Sequence, residues 1–427
     1  MRLTRGRESR PNRILFLTHY YPPETNAPAS RVSELARLWA SSGHVVDIVT
    51  GMPNHPNGII PESYRGAWYR QETQDGVTIH RGRIYPAPNR GHLRRILNYL
   101  SFLIAGTVTA LAKAQRPDCV IATSPQLFCA VSGWIVAALR RIPFILEIRD
   151  IWPEEIVAVG AIRNRLVIRL LERLEMFLYR RATRIVVVAQ GSIDILTSRG
   201  VPQSKLELIP NGVDTDRFLP GPRQNRVRRE LQVNGDFLVS YIGTIGMAHR
   251  LEVILDAAEK LRDHPGVKFM IVGDGAERDR LRNLALRRGL TNVLWEDAQP
   301  RNRVADYYSA SDACLVHMRR AELFTHNVPS KMYEIMAAGR PMLLGTFGES
   351  RELGESAGCA VAFTPENADE LVDAIAILMA SPDRGAQMGQ SGRQYVQSRY
   401  DRRLLARRYM NLISGVVGNH RKQQVTG

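Results

Sequence analysis

ILFLTHYYPPETNAPASRVSELARLWASSGHVVDIV, residues 14–49, runs through strand, loop, helix, turn and strand in that order. Ile14–Leu17 is a short apolar strand, and Pro22-Pro23 shapes the loop Tyr20–Ser30 that follows it. From about Ala29 to Ser41, Val32, Leu35, Ala36, Leu38 and Trp39 recur at helical spacing and form one apolar stripe. Gly43-His44 interrupts that pattern, and Val45–Val49 reads as the next strand. A strand that returns to a second strand through a helix is a crossover unit, which builds a parallel sheet.

The same alternation continues outward. Cys119–Ala122, Phe144–Glu147 and Ile185–Val188 are short strand candidates, separated by helical stretches that include Ala130–Leu139 and Leu166–Leu178. Such β-branched runs suit strands buried on both faces, so a doubly wound domain is expected up to about Pro202. Leu208-Ile209 leads into Pro210–Asp214, and the polar, charged stretch Pro220–Asp236 reads as an interdomain crossing. A second series then begins, with strands at Phe237–Tyr241, Lys268–Val272, Val293–Trp295, Ala313–Val316 and Pro341–Leu344 and helices at Leu251–Leu261 and Glu277–Arg288. At 427 residues the chain is too long for one core, which agrees with two α/β domains. The tail from about Ala386 to Ile413 is helical in pattern, and the final VVGNHRKQQVTG, without periodicity, is expected to fray.

The formal charge is +16, from 58 Lys and Arg against 42 Asp and Glu. It is densest in the first half, at Arg94-Arg95, Arg140-Arg141, Arg163, Arg165, Arg169, Arg173 and Arg180-Arg181, and suits an anionic lipid, an anionic substrate or nucleic acid. A nucleic-acid platform interleaves aromatics with arginines, whereas the aromatics here sit inside apolar periodic segments, so no nucleic-acid partner is expected. Cys119, Cys129, Cys314 and Cys359 lie far apart, with neither zinc spacing nor a disulfide framework, which fits a reducing compartment. MRLTRGRESRPNR runs straight into the first strand and reads as a short disordered arm rather than a signal peptide. Ile96–Ala112, ILNYLSFLIAGTVTALA, is slightly short for a bilayer crossing; it is either a buried helix or one lying at a membrane surface.

Five patterns in order, YYPPETNAPASRVSELARLWASSGHVVDIVT at 20–50, EIRDIWPE at 147–154, IPNGVD at 209–214, VGDG at 272–275 and NVPSKMYEIMAAGRPML at 327–343, resemble the retaining GT4 glycosyltransferases. More narrowly the chain resembles the fucosamine-transferase-like enzymes of bacterial O-antigen, lipopolysaccharide and capsule assembly. The resemblance implies the GT-B fold, two Rossmann-like α/β domains facing across a cleft: an acceptor-binding domain at 1–205 and a nucleotide-sugar domain at 206–395, with a helix at about 396–413 crossing back. It also implies a nucleoside diphosphate sugar as donor, with no further cofactor.

Candidate site residues follow from the matched motifs. Asn26, or the backbone amides of 25–29, either meet the donor diphosphate at a helix start or merely cap that helix. Arg149 stands where relatives carry a histidine; its planar fork suits the phosphate of a lipid diphosphate acceptor, or else it pairs with a carboxylate. Asp150 is expected to orient the acceptor hydroxyl, and Glu154 to bind acceptor or fix Arg149. Relatives use an arginine and a lysine in the loop after the first strand of the second domain, where this chain has Thr244 and His249; Gly243 in the same loop is a further donor-binding candidate. A departing diphosphate needs a cation, so Lys331 first and Arg250 second are expected to supply it. Gly273 and Asp274 make either a turn beside the base or a tight strand-to-helix joint. Of two family glutamates spaced across this region only Glu334 remains, suited to ribose hydroxyls; the first position is His326, and Asn327, Val328 and Ser330 offer backbone contacts to sugar or phosphate.

The expected reaction moves a hexosyl or N-acetylamino-hexosyl unit, UDP-linked, to a polyprenyl-diphosphate-linked saccharide on the cytoplasmic side of the inner membrane, with peripheral attachment to its anionic surface and no metal. The alternative is a nucleotide-sugar epimerase of the same fold, which needs no acceptor.

Overall fold

The computed structural model describes residues 10–55, 57–88, 92–151, 164–233 and 235–426. They divide into two compact units. The first comprises Met1–Val188, Ser192–Ile209 and Ala406–Gly427, and the second Ala189–Gly191 and Pro210–Leu405.

In the first unit the strands are β1 (Arg13–Leu17), β2 (Val45–Gly51), β3 (Tyr69–Gln74), β4 (Val77–Gly82), β5 (Cys119–Ser124), β6 (Phe144–Ile148), β7 (Arg184–Val187) and β8 (Leu206–Leu208). They form one sheet in the order β3-β4-β2-β1-β5-β6-β7-β8, parallel except for the antiparallel pair β3 and β4. Residues of β5 and β6 are buried throughout, as strands between two helical layers must be. The β3–β4 hairpin has no counterpart among the expected strands. Its turn is Asp75-Gly76, both at positive φ, the two-residue chemistry that matches the twist of paired strands.

The second unit holds β9 (Phe237–Ile242), β10 (Val267–Val272), β11 (Val293–Glu296), β12 (Ala313–His317), β13 (Met342–Gly345) and β14 (Ala360–Ala362), all parallel in the order β11-β10-β9-β12-β13-β14. In each sheet one strand sits where the chain's winding reverses: β1 lies between β2 and β5, and β9 between β10 and β12. Open sheets of this kind bind ligands outside the carboxyl ends of the strands at that reversal. The loops after β1 and β9 are therefore the positions to inspect.

Two expectations are corrected. The charged stretch 220–236 folds into the second unit: Arg228 is fully buried, and its guanidinium donates to the carbonyls of Ala310, Val233 and Asp236 and pairs with Asp312. Five fixed donors suit an arginine to gathering several carbonyls, which a linker reading of the composition overlooks. The tail does not fray at 416 either; a helix runs Arg402–Thr426, with Val416 and Val417 buried and Arg421 2.6 Å from Asp118. Its inward face belongs to the first unit, where Trp39 Nε1 donates to Ala406 O (3.1 Å) and the Trp39 and Tyr409 rings meet edge to face at 5.2 Å.

Candidate active-site residues in each unit

In the second unit Gly243 follows the end of β9 and Gly273 the end of β10, and the two loops pack backbone against backbone. Gly243 N donates to Val272 O (2.9 Å) and Ile245 N to Asp274 O (2.9 Å). A Cβ on Gly273 would stand 1.9 Å from Gly243 O, and its φ of +145° is one that side chains rarely adopt. Both reasons for glycine at 273 are thus structural, the tight-joint alternative. Gly243 faces something else: a Cβ there would lie 2.9 Å from Lys331 Nζ.

Lys331 begins the short helix Lys331–Ala337. Its Nζ lies 3.6 Å from the centroid of the Tyr241 ring and is buried without a hydrogen-bond partner. Burial lowers its pKa to about 7, with the Glu334 carboxylate opposing that shift. His249 is close enough for the lysine's charge to matter: burial first, then Lys331, brings its pKa to about 3, so the ring is neutral. The rings of His249 and His317 each approach the other's backbone carbonyl, at 3.3 and 2.6 Å. Glu366 N donates to His317 Nε2 at 2.8 Å, which leaves the His317 proton on Nδ1. Glu334 accepts from Tyr308 OH (3.1 Å), and Arg301 Nη2 lies 3.4 Å from its other oxygen.

Gly243, His249, Lys331 and Glu334 are thereby brought together. Among the described residues no hydrogen bond or ion pair ties Arg250 to that group; at φ +44° its side chain, half exposed, runs to Glu252 (3.8 Å) and Glu366 (3.6 Å). Thr244 offers its carbonyl to Tyr241 OH (2.6 Å), and Asp274 Oδ1 accepts from Gly275 N (2.7 Å). His326 closes the 3-10 turn Glu322–His326, Ser330 precedes the helix without a side-chain cap bond, Val328 packs on the core, and the Asn327 carbonyl accepts from Ser350 Oγ.

In the first unit the loop after β1 leads to the helix Ala27–Ser41, and Asn26 Oδ1 accepts from Ala29 N (3.0 Å) as its cap. At the end of β6, Arg149 Nε donates to Thr123 Oγ1 and Ser124 O, both at 3.2 Å, and among the described residues no carboxylate lies within 4.0 Å of it. The Asp150 and Glu147 carboxylates nonetheless act on Arg149 electrostatically, so the carboxylate-partner alternative stays open. Burial holds the Asp150 carboxyl above the usual range, with Arg149 pulling it down. Glu154 lies outside the described residues.

Two groups escaped the sequence reading. Glu147 is wholly buried, held by Arg31 through Nε (3.2 Å) and Nη2 (3.1 Å), while Thr123 Oγ1 lies 3.3 Å from its other oxygen. Glu24 ties the loops after β1 and β2 together by accepting from the backbone N–H groups of Tyr21, Asn54 and His55. Arg31 beside Val32 and Leu35 is the one available signal: a cation on the buried face of a helix needs an anion. All four cysteines are free and buried, and among the described residues no three His, Cys, Asp or Glu side chains converge as a metal cluster would.

Two largely parallel α/β sheets, each wound in both directions and one with a lysine beside a glycine loop at its reversal, make a doubled Rossmann-like architecture. Residues 26–212 match the Glycosyl transferase 4-like domain, and residues 223–395 match the Glycosyl transferases group 1 domain. The chain belongs to the GT4 glycosyltransferases of GT-B fold and is a glycosyltransferase. It is similar to WcaI of Escherichia coli (strain K12), a glycosyl transferase named for colanic acid biosynthesis, at 26% identity over 94% of this chain and 100% of that one. Among solved structures it is similar to the sucrose-phosphate synthase of Thermosynechococcus elongatus (TM-score 0.74, 18% identity, 95% of this chain and 99% of that one). It is also similar to HepE of Anabaena in complex with UDP (TM-score 0.71, 18% identity, 94% and 100%). These two likenesses speak to the fold.

Proposed function

We propose that this glycosyltransferase moves a hexosyl or N-acetylamino-hexosyl unit from a UDP-linked sugar to a polyprenyl-diphosphate-linked saccharide, with retention at the anomeric carbon and without a metal. The observation that carries the donor half is Lys331: a buried ammonium without a hydrogen-bond partner, beside a glycine at the carboxyl end of β9. Such a cation gains most when negative charge develops next to it, as when a nucleoside diphosphate leaves a sugar. Glu334 accepts from ribose hydroxyls, and the backbone amide of Val328 holds sugar or phosphate, that of Asn327 being taken by Phe324 O. Asp150 orients the acceptor hydroxyl, and the leaving phosphate oxygen takes its proton, so attack comes from the face of departure.

The similarity to WcaI supports surface polysaccharide as the product class, and the UDP held by HepE supports the choice of base. Attachment to the cytoplasmic face of the inner membrane is supported by the helix His92–Ala112. Its most apolar window is only 28% buried, and Ile104 (69% exposed) and Val108 (59%) stand in its exposed face. The deciding experiment is a panel of UDP-, GDP- and dTDP-linked sugars read by thermal shift, then transfer to short prenyl-diphosphate saccharides. A UDP-sugar that raises the melting temperature and is consumed only with acceptor present is expected. Interconversion of sugars without acceptor would sink the transfer reading.

A further inference from the structure

Tyr241 is the last residue but one of β9 and is buried, with 1% of its surface exposed. It meets the lysine and the loop at once. Its ring centroid lies 3.6 Å from Lys331 Nζ, and its hydroxyl donates to Thr244 O at 2.6 Å, beyond Gly243 in sequence. Gly243 itself is bare where a Cβ would stand 2.9 Å from the same Nζ. One aromatic side chain thus sets where the ammonium rests and where the first turn of the loop runs. Ile245 N, bound to Asp274 O at 2.9 Å, holds the next step of that loop.

The titratable groups around Lys331 come from several elements. On its own helix, Glu334 is the anion whose charge reaches it, and that carboxylate already accepts from Tyr308 OH at 3.1 Å, with Arg301 at 3.4 Å. His249, in the loop after β9, is neutral and is pushed further from protonation by the lysine and by His317 at the end of β12. Tyr241 keeps its proton, burial raising its pKa well above the ordinary value, so no phenolate faces the lysine. Among the described residues Lys331 Nζ has no hydrogen-bond partner. Burial favours loss of the proton from such a group unless something replaces its water. An aromatic face does so: it attracts a cation through its quadrupole and occupies none of the three N–H donors, which stay available to phosphate oxygens. A carboxylate in the same place would take those donors and cancel the charge. We propose that Tyr241 is a positioning residue of the donor site, its ring holding the Lys331 ammonium with its donors free for a diphosphate and its hydroxyl fixing the loop that carries Gly243 and Thr244. This inference rests on the reading of Lys331 as the cation that meets the leaving diphosphate, and adds the residue that maintains it.

The chain has six lysines, so NMR of the full chain labelled with 13C at lysine Cε follows each one, with Lys331 assigned by the signal missing in Lys331→Met. Tyr241→Phe keeps the ring and should leave the Lys331 titration midpoint within about 0.3 pH unit of the parent, because the π face is what acts on the ammonium. Tyr241→Leu removes the ring and should lower that midpoint by about one unit, a roughly tenfold loss of proton affinity. Pentafluorophenylalanine at 241 keeps the shape of phenylalanine and reverses its quadrupole, so its midpoint should fall below that of Tyr241→Phe even if Tyr241→Leu does not fold. UDP binding, read by calorimetry, should be weakened by Tyr241→Leu more at pH 7.5 than at pH 6, where the lysine regains its proton. Equal midpoints in the phenylalanine and pentafluorophenylalanine proteins overturn the inference, and so does a UDP loss in Tyr241→Leu that is the same at both pH values, which is the mark of a loosened core. If Lys331→Met binds UDP and turns over as the parent does, the reading of Lys331 fails instead, whatever Tyr241 does to its titration.

Discussion

Lys331 is a lysine held against its own charge, and that has consequences for stability and for activity in opposite directions. Between the folded pKa of about 7 and the ordinary 10.5 the unfolded chain binds a proton that the folded chain does not, so this residue makes stability rise with pH across that window. Lys331→Met should therefore stabilise the protein near neutral pH by roughly 2–4 kcal/mol in urea titrations while lowering kcat by about 100-fold or more. A destabilised Lys331→Met protein with normal turnover would refute both parts. The same pKa predicts that donor affinity in the parent weakens as pH rises above about 7, and that Lys331→Arg flattens the profile. Glu147 lies at the other extreme: Glu147→Gln leaves Arg31 buried beside a neutral amide and should cost about 3–5 kcal/mol. Lys331 and Glu334 could be singled out as candidates because each sits in a motif with a chemical demand attached. Glu147 and Glu24 were not, since nothing local in a sequence says whether a carboxylate is buried or which distant N–H groups will reach it.

Strands and helices were read with different success, for a physical reason. β1, β2, β5, β6, β9, β10 and β12 are mostly apolar runs, each buried in all but at most one residue, so period and composition coincide. β3 is a polar edge strand with no such run, and only the Asp75-Gly76 turn announced it. Helix His92–Ala112 left two readings open from composition, and the exposure of Ile104 and Val108 shows that it is not a wholly buried helix. Ile104→Glu with Val108→Glu should abolish sedimentation with anionic vesicles while leaving the melting temperature within about 2 °C, exposed positions being tolerant of charge. Unchanged sedimentation would refute the attachment. The arginines of this region are not equivalent. Arg140 donates to the carbonyls of Ala110, Leu111 and Ala114, capping the helix end, so Arg140→Gln should lower stability by about 1–3 kcal/mol, and a fall in its membrane binding cannot be read as lost surface charge.

At the scale of the molecule, the repeated alternation of short apolar strands and helices was enough to read two doubly wound units, because each strand must be buried twice over. The residues where relatives carry charge and this chain does not, Thr244 and His249, were legible as departures, and Lys331 was singled out from the sequence as the cation to stand in for them; three dimensions add that its Nζ lies beside Gly243. If leaving-group charge is met by lysine and backbone, transfer should survive EDTA at millimolar concentration; loss of turnover restored by added magnesium or manganese would refute metal independence.

The helix Arg402–Thr426 has a consequence for biosynthesis. The first unit draws Ala406–Gly427 from beyond the whole of Pro210–Leu405, so on the ribosome Trp39 waits for Ala406 and Tyr409 through the synthesis of more than an entire intervening unit. The later-made unit is one nearly contiguous stretch and can close first. A nascent chain arrested before Ala406 should therefore present a protease-resistant fragment from the second unit and a first unit still open to digestion.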